Sequence, residues 1–233
     1  MTTPACLMVR VAAGAPNDAL LKLALDAAAR LKATKVIGIS ARQPIQIYGS
    51  PEMYVPPELV TWDLEQIDKE LKAAESSFRA AFAGKVATVE WRSTVVTYGT
   101  IADYVGEQMR AADLLVTAVP DGGMLLDGSR HANVADLALR AGRPVLVVAA
   151  AQDRLDLRSV VVGWLAGHGV TATALAAVQD REEAGQLRRM VRELDAGLVV
   201  GGAYGHTRLR EWVLGGITRD LLLRPLHCSL VSH

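Results

Sequence analysis

The residues of this 233-residue chain whose types and spacing could do chemistry run Leu198-Val199-Val200-Gly201-Gly202-Ala203-Tyr204-Gly205-His206-Thr207-Arg208-Leu209-Arg210-Glu211-Trp212-Val213-Leu214-Gly215-Gly216-Ile217-Thr218. An apolar strand-like run leads through glycines into a helical pattern. Glycine allows sharp bends and carries no Cβ to hold a ligand away, while backbone N–H groups at such a loop or at a helix N-terminus bind phosphate oxygens. Two phosphate-facing patches are therefore expected, at Gly202 to Gly205 and at Gly215 to Thr218, with the Thr218 hydroxyl as an added donor. The same glycines would also serve tight turns and close helix–sheet packing with no ligand at all. Arg208 and Arg210 could lie over a polyphosphate or simply face water, His206 reads as a solvent-facing loop residue, and Trp212 to Leu214 read as packing beneath the loop, with stacking on a base as the alternative.

Other chemistries find less support. Ser129, Arg130 and His131 are adjacent, but there is no GxSxG elbow to expose a nucleophile. No GxxxxGK[ST] loop is present, and neither CxxC nor HExxH occurs, so kinase-like and zinc sites have no motif. Cys6 and Cys228 each sit in an apolar run near opposite ends of the chain, which predicts two buried thiols and no disulfide.

The elements that must position the glycines follow from hydrophobic periodicity. Leu7 to Val11 reads as a strand, Asn17 or Asp18 as the cap of a helix carried by Leu20, Leu21, Ala24, Ala28 and Leu31, and Val36 to Ile39 as a second strand. The segment from Ala41 to Pro57, with four prolines and Tyr48, Met53 and Tyr54, is expected to be a surface excursion. Leu64, Ile67, Leu71, Ala74, Phe78 and Phe82 then mark one face of a helix. Val86 to Trp91 is the third strand, Thr97-Tyr98-Gly99-Thr100 is the start signal of a helix with Ile101, Val105 and Met109 on its inner face, and Leu114 to Val119 is the fourth strand. After the loop at Pro120 to Ser129, a helix ends near Gly142 and Val145 to Val148 is a fifth, fully buried strand. Strands alternating with helices predict a mostly parallel sheet covered on both faces.

Apolar residues at 51% and charged residues at 21% exclude a disordered chain. Lys plus Arg equals Asp plus Glu at 25 each, so nothing in the total favours nucleic acid or an anionic membrane. No apolar stretch approaches the roughly 18–20 residues of a spanning helix, Met1 to Val11 has neither a basic leader nor a long apolar run, and a cytoplasmic location is expected.

Beyond a polar linker at Gln152 to Arg158, part of the pattern recurs. Leu198-Val199-Val200 answers Leu114-Leu115-Val116 at an offset of 84, and Cys228 to Val231 answers Val145 to Val148 at 83. Val160 to Val162 would be the first strand of this second unit, Val170 to Leu175 its third, and Ala184, Leu187, Val191 and Leu194 one face of its penultimate helix. The second unit is short. Only Gly163 to Gly169 separate Val162 from Val170, too little for a parallel crossover. The two segments form a local hairpin, or a helix–strand–helix portion is missing; the missing portion is the expectation, because a parallel sheet without its second strand leaves hydrogen bonds unmade.

The glycine segment resembles the signature of the universal stress protein family, Gly-x2-Gly-x9-Gly-Ser/Thr, met by Gly202, Gly205 and Gly215. The likeness extends to Thr218-Arg219-Asp220-Leu221-Leu222 and to the final Pro225-Leu226-His227-Cys228-Ser229-Leu230-Val231. It covers the chain as two tandem units, 1–150 with a degenerate glycine loop (Pro120 to His131) and 157–233 with the motif. The resemblance implies an α/β fold of two Rossmann-like, adenine nucleotide alpha hydrolase-like units. Each would be a five-stranded sheet in the order 3-2-1-4-5, paired through the last strands. It implies ATP or AMP as ligand, with Mg²⁺ left open, Gly202 and Gly205 approaching ribose and phosphates, and Gly215, Gly216 and Ile217 offering backbone groups to phosphates. Gly216 occupies the Ser/Thr position, and Gly163-Trp164 stands where family members that bind ATP carry an acidic residue. Asp121 and Asp127 in the first loop would repel phosphate unless Mg²⁺ intervened, so residues 1–150 read as a scaffold that mimics the dimer partner, with a divergent ligand site as the alternative. The function implied is a nucleotide-responsive stress protein with a protein partner, pairing its units internally and with a homodimer open. It would not be an enzyme, or at most hydrolyse ATP slowly. The alternative is a structural or protein-interaction module whose loop has lost its ligand.

Overall fold

The computed structural model describes residues 5–45, 56–119, 132, 134–149, 160–161, 189–202 and 228–232. In chain order the elements are β1 (Cys6–Arg10), α1 (Asp18–Arg30), β2 (Lys35–Arg42), α2 (Pro57–Phe82), β3 (Thr88–Val95), α3 (Ile101–Gln108), β4 (Leu114–Ala118), α4 (Val134–Ala141), β5 (Val145–Val148), β6 (Val160–Val161), β7 (Leu198–Gly202) and β8 (Cys228–Ser232). Among the described residues the strands form one eight-stranded sheet in the order β3-β2-β1-β4-β5-β8-β7-β6. Its first five members realise the expected 3-2-1-4-5 order, all parallel. Between β5 and β8 the pairing turns antiparallel, and β8, β7 and β6 are again parallel to one another.

The apolar runs become central strands because both faces of the sheet are covered. On one face Met8, Ile37, Leu115, Val145 and Val147 pack with Ile101, Val105 and Met109 of the α3 region and with Val134, Leu137 and Ala138 of α4. On the other, Leu7, Val9, Val36, Val116, Leu146 and Val148 pack with Leu20, Leu23, Ala24 and Ala27 of α1 and Ala74, Phe78 and Phe82 of α2. Both layers run past β5. Val231 belongs to the first, and Leu198 and Cys228 to the second.

The ladders refine the internal correspondence. Leu146 faces Leu230, 84 positions later, across the antiparallel seam. Leu115 pairs with Val145 as Val199 pairs with Ser229, again 84 apart on both strands. The offset of 83 expected for the last strand is thus corrected by one residue. The reason is geometric: a one-residue slip turns every side chain to the opposite face, and only 84 keeps Leu146 with Leu230 on one face and Val147 with Val231 on the other. By the same ladders Val160 stands to Leu198 as Leu7 stands to Leu114.

Three local expectations are also corrected. α2 starts at Pro57, within the expected excursion, because proline is well suited to a first helical position, where its missing N–H is not needed. Asn17 occupies the N-cap of α1 without capping it; its side chain instead accepts from Ala12 N–H and donates to the carbonyls of Ala12 and Ala15, tying the β1–α1 turn. β7 runs on through Gly201 and Gly202, so the glycine segment begins inside the ladder. At the end of the expected start signal, Thr100 caps α3 in a reciprocal box with Asp103. Residues 189–193 form a helical turn carrying Val191 inward. The hairpin-or-missing-portion question, Val170 to Leu175 and the excursion residues Tyr48, Met53 and Tyr54 lie outside the described residues. Cys228 is buried and Cys6 half-buried; neither is in a disulfide, and burial raises both thiol pKa values.

Candidate functional site

Parallel sheets place ligands beyond the carboxyl ends of their strands, where the strand order reverses. Among the described residues this sheet has such a reversal between β1 and β4, while β7 and β6 are parallel neighbours at its other edge. At β7 the ladder closes on two glycines, Gly201 opposite Val231 and Gly202 opposite Ser232. The 84-residue correspondence sets Thr117 and Ala118 in the equivalent places of β4. One strand end therefore offers bare backbone where its counterpart carries side chains, and a ligand can approach the bare one by about the width of a Cβ. Of the residues expected at the site, Gly202 is placed here, as the last residue of β7. Gly205, Gly215, Gly216, Ile217 and Thr218 lie outside the described residues, as do His206, Arg208, Arg210, Trp212 and the first loop from Pro120 to His131.

The β1–β4 end has a different chemistry, which the sequence reading did not single out. Arg10 closes β1, and one step beyond the Val9–Val116 pair it stands beside Thr117. Its Nη1 donates to Thr117 Oγ1 over a long 3.5 Å, and the residue is only 4% exposed. Burial pushes the guanidinium down to about 10, which still leaves it protonated at neutral pH. The signal was present in the sequence, as one arginine inside the apolar run Leu7-Met8-Val9-Arg10-Val11.

A second buried cation lies on the opposite face. Arg42, at the end of β2, pairs through Nη2 with Glu70 Oε2 of α2 at 2.9 Å, an ion contact whose angle is not that of a hydrogen bond. Arg42 Nε, Ser40 Oγ and Trp91 Nε1 are buried with no hydrogen-bond partner among the described residues. Gly14, in the β1–α1 turn with φ +73°, passes so close that a Cβ there would sit 2.7 Å from the Glu70 carboxyl. The φ favours glycine at that point, and a side chain there would have to displace the Glu70 carboxylate from Arg42.

Among the described residues no group of three His, Cys, Asp or Glu side chains is placed to hold a metal ion. Within the same residues no helix is long and apolar enough to cross a membrane.

No family model matches this chain, and no curated protein matches it. Solved structures do. A universal stress protein from Archaeoglobus fulgidus DSM 4304 is 10% identical with a TM-score of 0.62, over 98% of this chain and 96% of its own. A functionally unknown protein from Pseudomonas aeruginosa PAO1 is 13% identical with a TM-score of 0.54, over 99% of this chain and 92% of its own. A universal stress protein in complex with cAMP is 21% identical with a TM-score of 0.41, over 64% of this chain and 100% of its own. The chain has the fold of the universal stress proteins.

Proposed function

We propose that this protein binds an adenine nucleotide, ATP or AMP, at the carboxyl end of β7, and that occupancy alters its association with a protein partner in a stress response. Gly202 and Gly205 would approach the ribose and phosphates; Gly215, Gly216 and Ile217 would supply N–H donors and Thr218 a hydroxyl, with Mg²⁺ free to accompany the phosphates. Residues 1–150 and 157–233 act as a tandem pair, the first bracing the second across the β5–β8 seam. No nucleophile or paired acid and base is assigned, so the nucleotide acts as a signal and its hydrolysis, where it occurs, is slow.

The observation that carries this reading is the closure of the β7 ladder on Gly201 and Gly202, where β4 has Thr117 and Ala118. The glycine spacing through Gly205 and Gly215 and the fold support it. Calorimetric titration of the full chain with ATP, ADP and AMP tests it. Micromolar binding is expected, abolished in Gly205→Val while the far-ultraviolet circular dichroism is unchanged. Absence of heat with all three nucleotides would leave an interaction module of the same fold.

A further inference from the structure

Among the described residues β3 is an outer edge of the sheet, with β2 as its one neighbour. Elsewhere the edges are closed or short: β5 is covered by β8, and β6, at the far side, extends over two residues. β3 runs for eight, contains no proline, and pairs with β2 residue for residue without a bulge. It therefore lacks devices that usually blunt a long free edge. Thr88 and Val96 donate their N–H groups to Thr34 and Arg42 on the β2 side. Backbone direction alternates along a strand, so Glu90, Arg92 and Thr94 follow them, while the N–H and C=O groups of Val89, Trp91 and Ser93 point outward from the sheet. The side chains along this edge carry both signs of charge. Glu90 and Arg92 lie two residues apart on one face of the strand, both partly exposed. Glu90 meets Lys35 Nζ and Arg92 Nε, each at 2.6 Å, and Arg92 Nη1 donates to Gln108 Oε1 of α3 at 2.8 Å. Of the five guanidinium N–H donors, those of Nη2 have no acceptor among the described residues.

We propose that two copies of this chain associate edge to edge through β3, antiparallel about a two-fold axis at Trp91. Trp91 then faces Trp91 of the second copy, Val89 faces Ser93, Glu90 faces Arg92 and Thr88 faces Thr94. In this register the outward groups of Val89, Trp91 and Ser93 meet one another and extend the ladder by hydrogen-bonded pairs. Glu90 and Arg92 meet their opposites twice across the axis, where the Nη2 donors find an acceptor. A shift of two residues one way sets Glu90 against Glu90, and the other way Arg92 against Arg92; like charges directly opposite are destabilising. A slip of one residue turns the side chains to the wrong faces and sets outward groups against inward ones. Charge thus selects one register. It also selects the partner, because an isologous interface needs a patch complementary to itself, and the order Glu90, Trp91, Arg92 is complementary to its own reverse.

Sedimentation equilibrium of the full chain without nucleotide, from low to several hundred micromolar, tests the proposal independently of the nucleotide reading. A single strand pair is at the small end of specific interfaces, so a concentration-dependent monomer–dimer equilibrium is expected. Amide exchange at Val89, Trp91 and Ser93 should slow as the dimer forms. Ser93→Pro removes an outward N–H while keeping the bonds to β2, and should abolish the dimer with far-ultraviolet circular dichroism unchanged. Arg92→Glu and Glu90→Arg, each setting like charges opposite one another, should each weaken self-association by about tenfold. An equimolar mixture of those two variants should recover it, because the acidic edge of one then faces the basic edge of the other. A chain that stays monomeric throughout overturns the proposal, as does a dimer that survives Ser93→Pro. Full protection of Val89, Trp91 and Ser93 in the dilute monomer also overturns it, because the chain would then cover its own edge. So does a mixture of the folded charge variants that associates no better than either alone.

Discussion

Leu146 and Leu230 face each other across the antiparallel seam of an otherwise parallel sheet, 84 positions apart in sequence. The seam is not a boundary in the core: Val231 packs in the layer that holds Met8 and Leu115, and Leu198 and Cys228 in the layer that holds Leu7 and Val116. Layers shared in this way couple the two sides energetically.

Denaturation in urea is therefore expected to show one transition, with tryptophan fluorescence and circular dichroism coinciding. Val231→Ala, at a position 1% exposed, should lower the stability by about 2 kcal/mol without splitting that transition. Two separated transitions in the parent chain would show that the seam does not transmit stability.

The Arg42–Glu70 pair yields a contrast between single and double substitution. Glu70→Gln leaves the nearly buried Arg42 side chain without its anion, and because Glu70 itself is 28% exposed the expected loss is about 1–3 kcal/mol, below that for a fully buried pair. Arg42→Met with Glu70→Leu removes both charges together and should recover most of that loss. A double-mutant cycle with additive effects would mean the two groups act independently.

How much of this was legible in the sequence depends on what each residue meets. β1, β4, β5, β7 and β8 announce themselves because each is built on an apolar run, unbroken in Val145 to Val148, where both faces of the sheet are covered. The first turns of α2 did not: Leu59, Val60 and Trp62 are exposed and follow no inward stripe, and Leu64, expected on the stripe with Ile67, Leu71, Ala74, Phe78 and Phe82, is exposed as well, so the inward face begins at Ile67. β2 was read to Ile39 and runs to Arg42, since Ser40 and Arg42 are polar residues buried by partners distant in sequence. The same limit hid Arg10: composition shows a charge in a strand, but only the ladder shows it beside Thr117. For the glycine site, residue type and spacing were legible, and the structure adds that the first two glycines belong to β7.

Gly38 marks the closest approach between β2 and the aromatic cluster beneath it. A Cβ there would lie 2.5 Å from Trp91 Cε3 and 2.7 Å from Phe78 Cδ1. Those rings are themselves packed at a centroid separation of 5.5 Å, and Phe78 is fully buried. Neither ring is a flexible end that can swing aside, so Gly38→Ala should destabilise by about 1–3 kcal/mol through overpacking. Trp91 fluorescence and the urea midpoint both report it. Gly84→Ala is the control: its φ of +68° imposes backbone strain, but no atom lies within 4 Å of the new methyl. A smaller loss, about 1 kcal/mol, with unchanged Trp91 emission is expected. Equal emission changes in the two variants would contradict the contact argument.

Asp103 sets a pH dependence whose sign follows from its partners. Its carboxylate accepts from the Thr100 hydroxyl at 2.7 Å and the Thr100 backbone N–H at 3.0 Å, and also pairs with Arg140. These contacts, led by the Thr100 side chain, hold its pKa below the ordinary carboxylate value. A carboxylate with a depressed native pKa binds protons more readily in the unfolded chain, so it contributes stability that is fully present above the unfolded value of about 3.9. That contribution is lost as pH falls through the lowered native pKa. The side chain is 38% exposed, so solvent screens the Arg140 contact and leaves the helix cap as the larger part. Asp103→Asn should accordingly reduce stability at neutral pH, and the difference from the parent should narrow toward the acid end as the parent carboxylate takes up its proton. Thr100→Ala, which removes the capping hydroxyl, should lower stability by about 1 kcal/mol and bring the Asp103 pKa back toward the ordinary range. Urea midpoints measured across the acid limb, with the Asp103 titration followed by carbon NMR, check both. A parent–variant difference that stays constant from neutral pH to below the native pKa would show that the cap, and not the charge on Asp103, carries the effect.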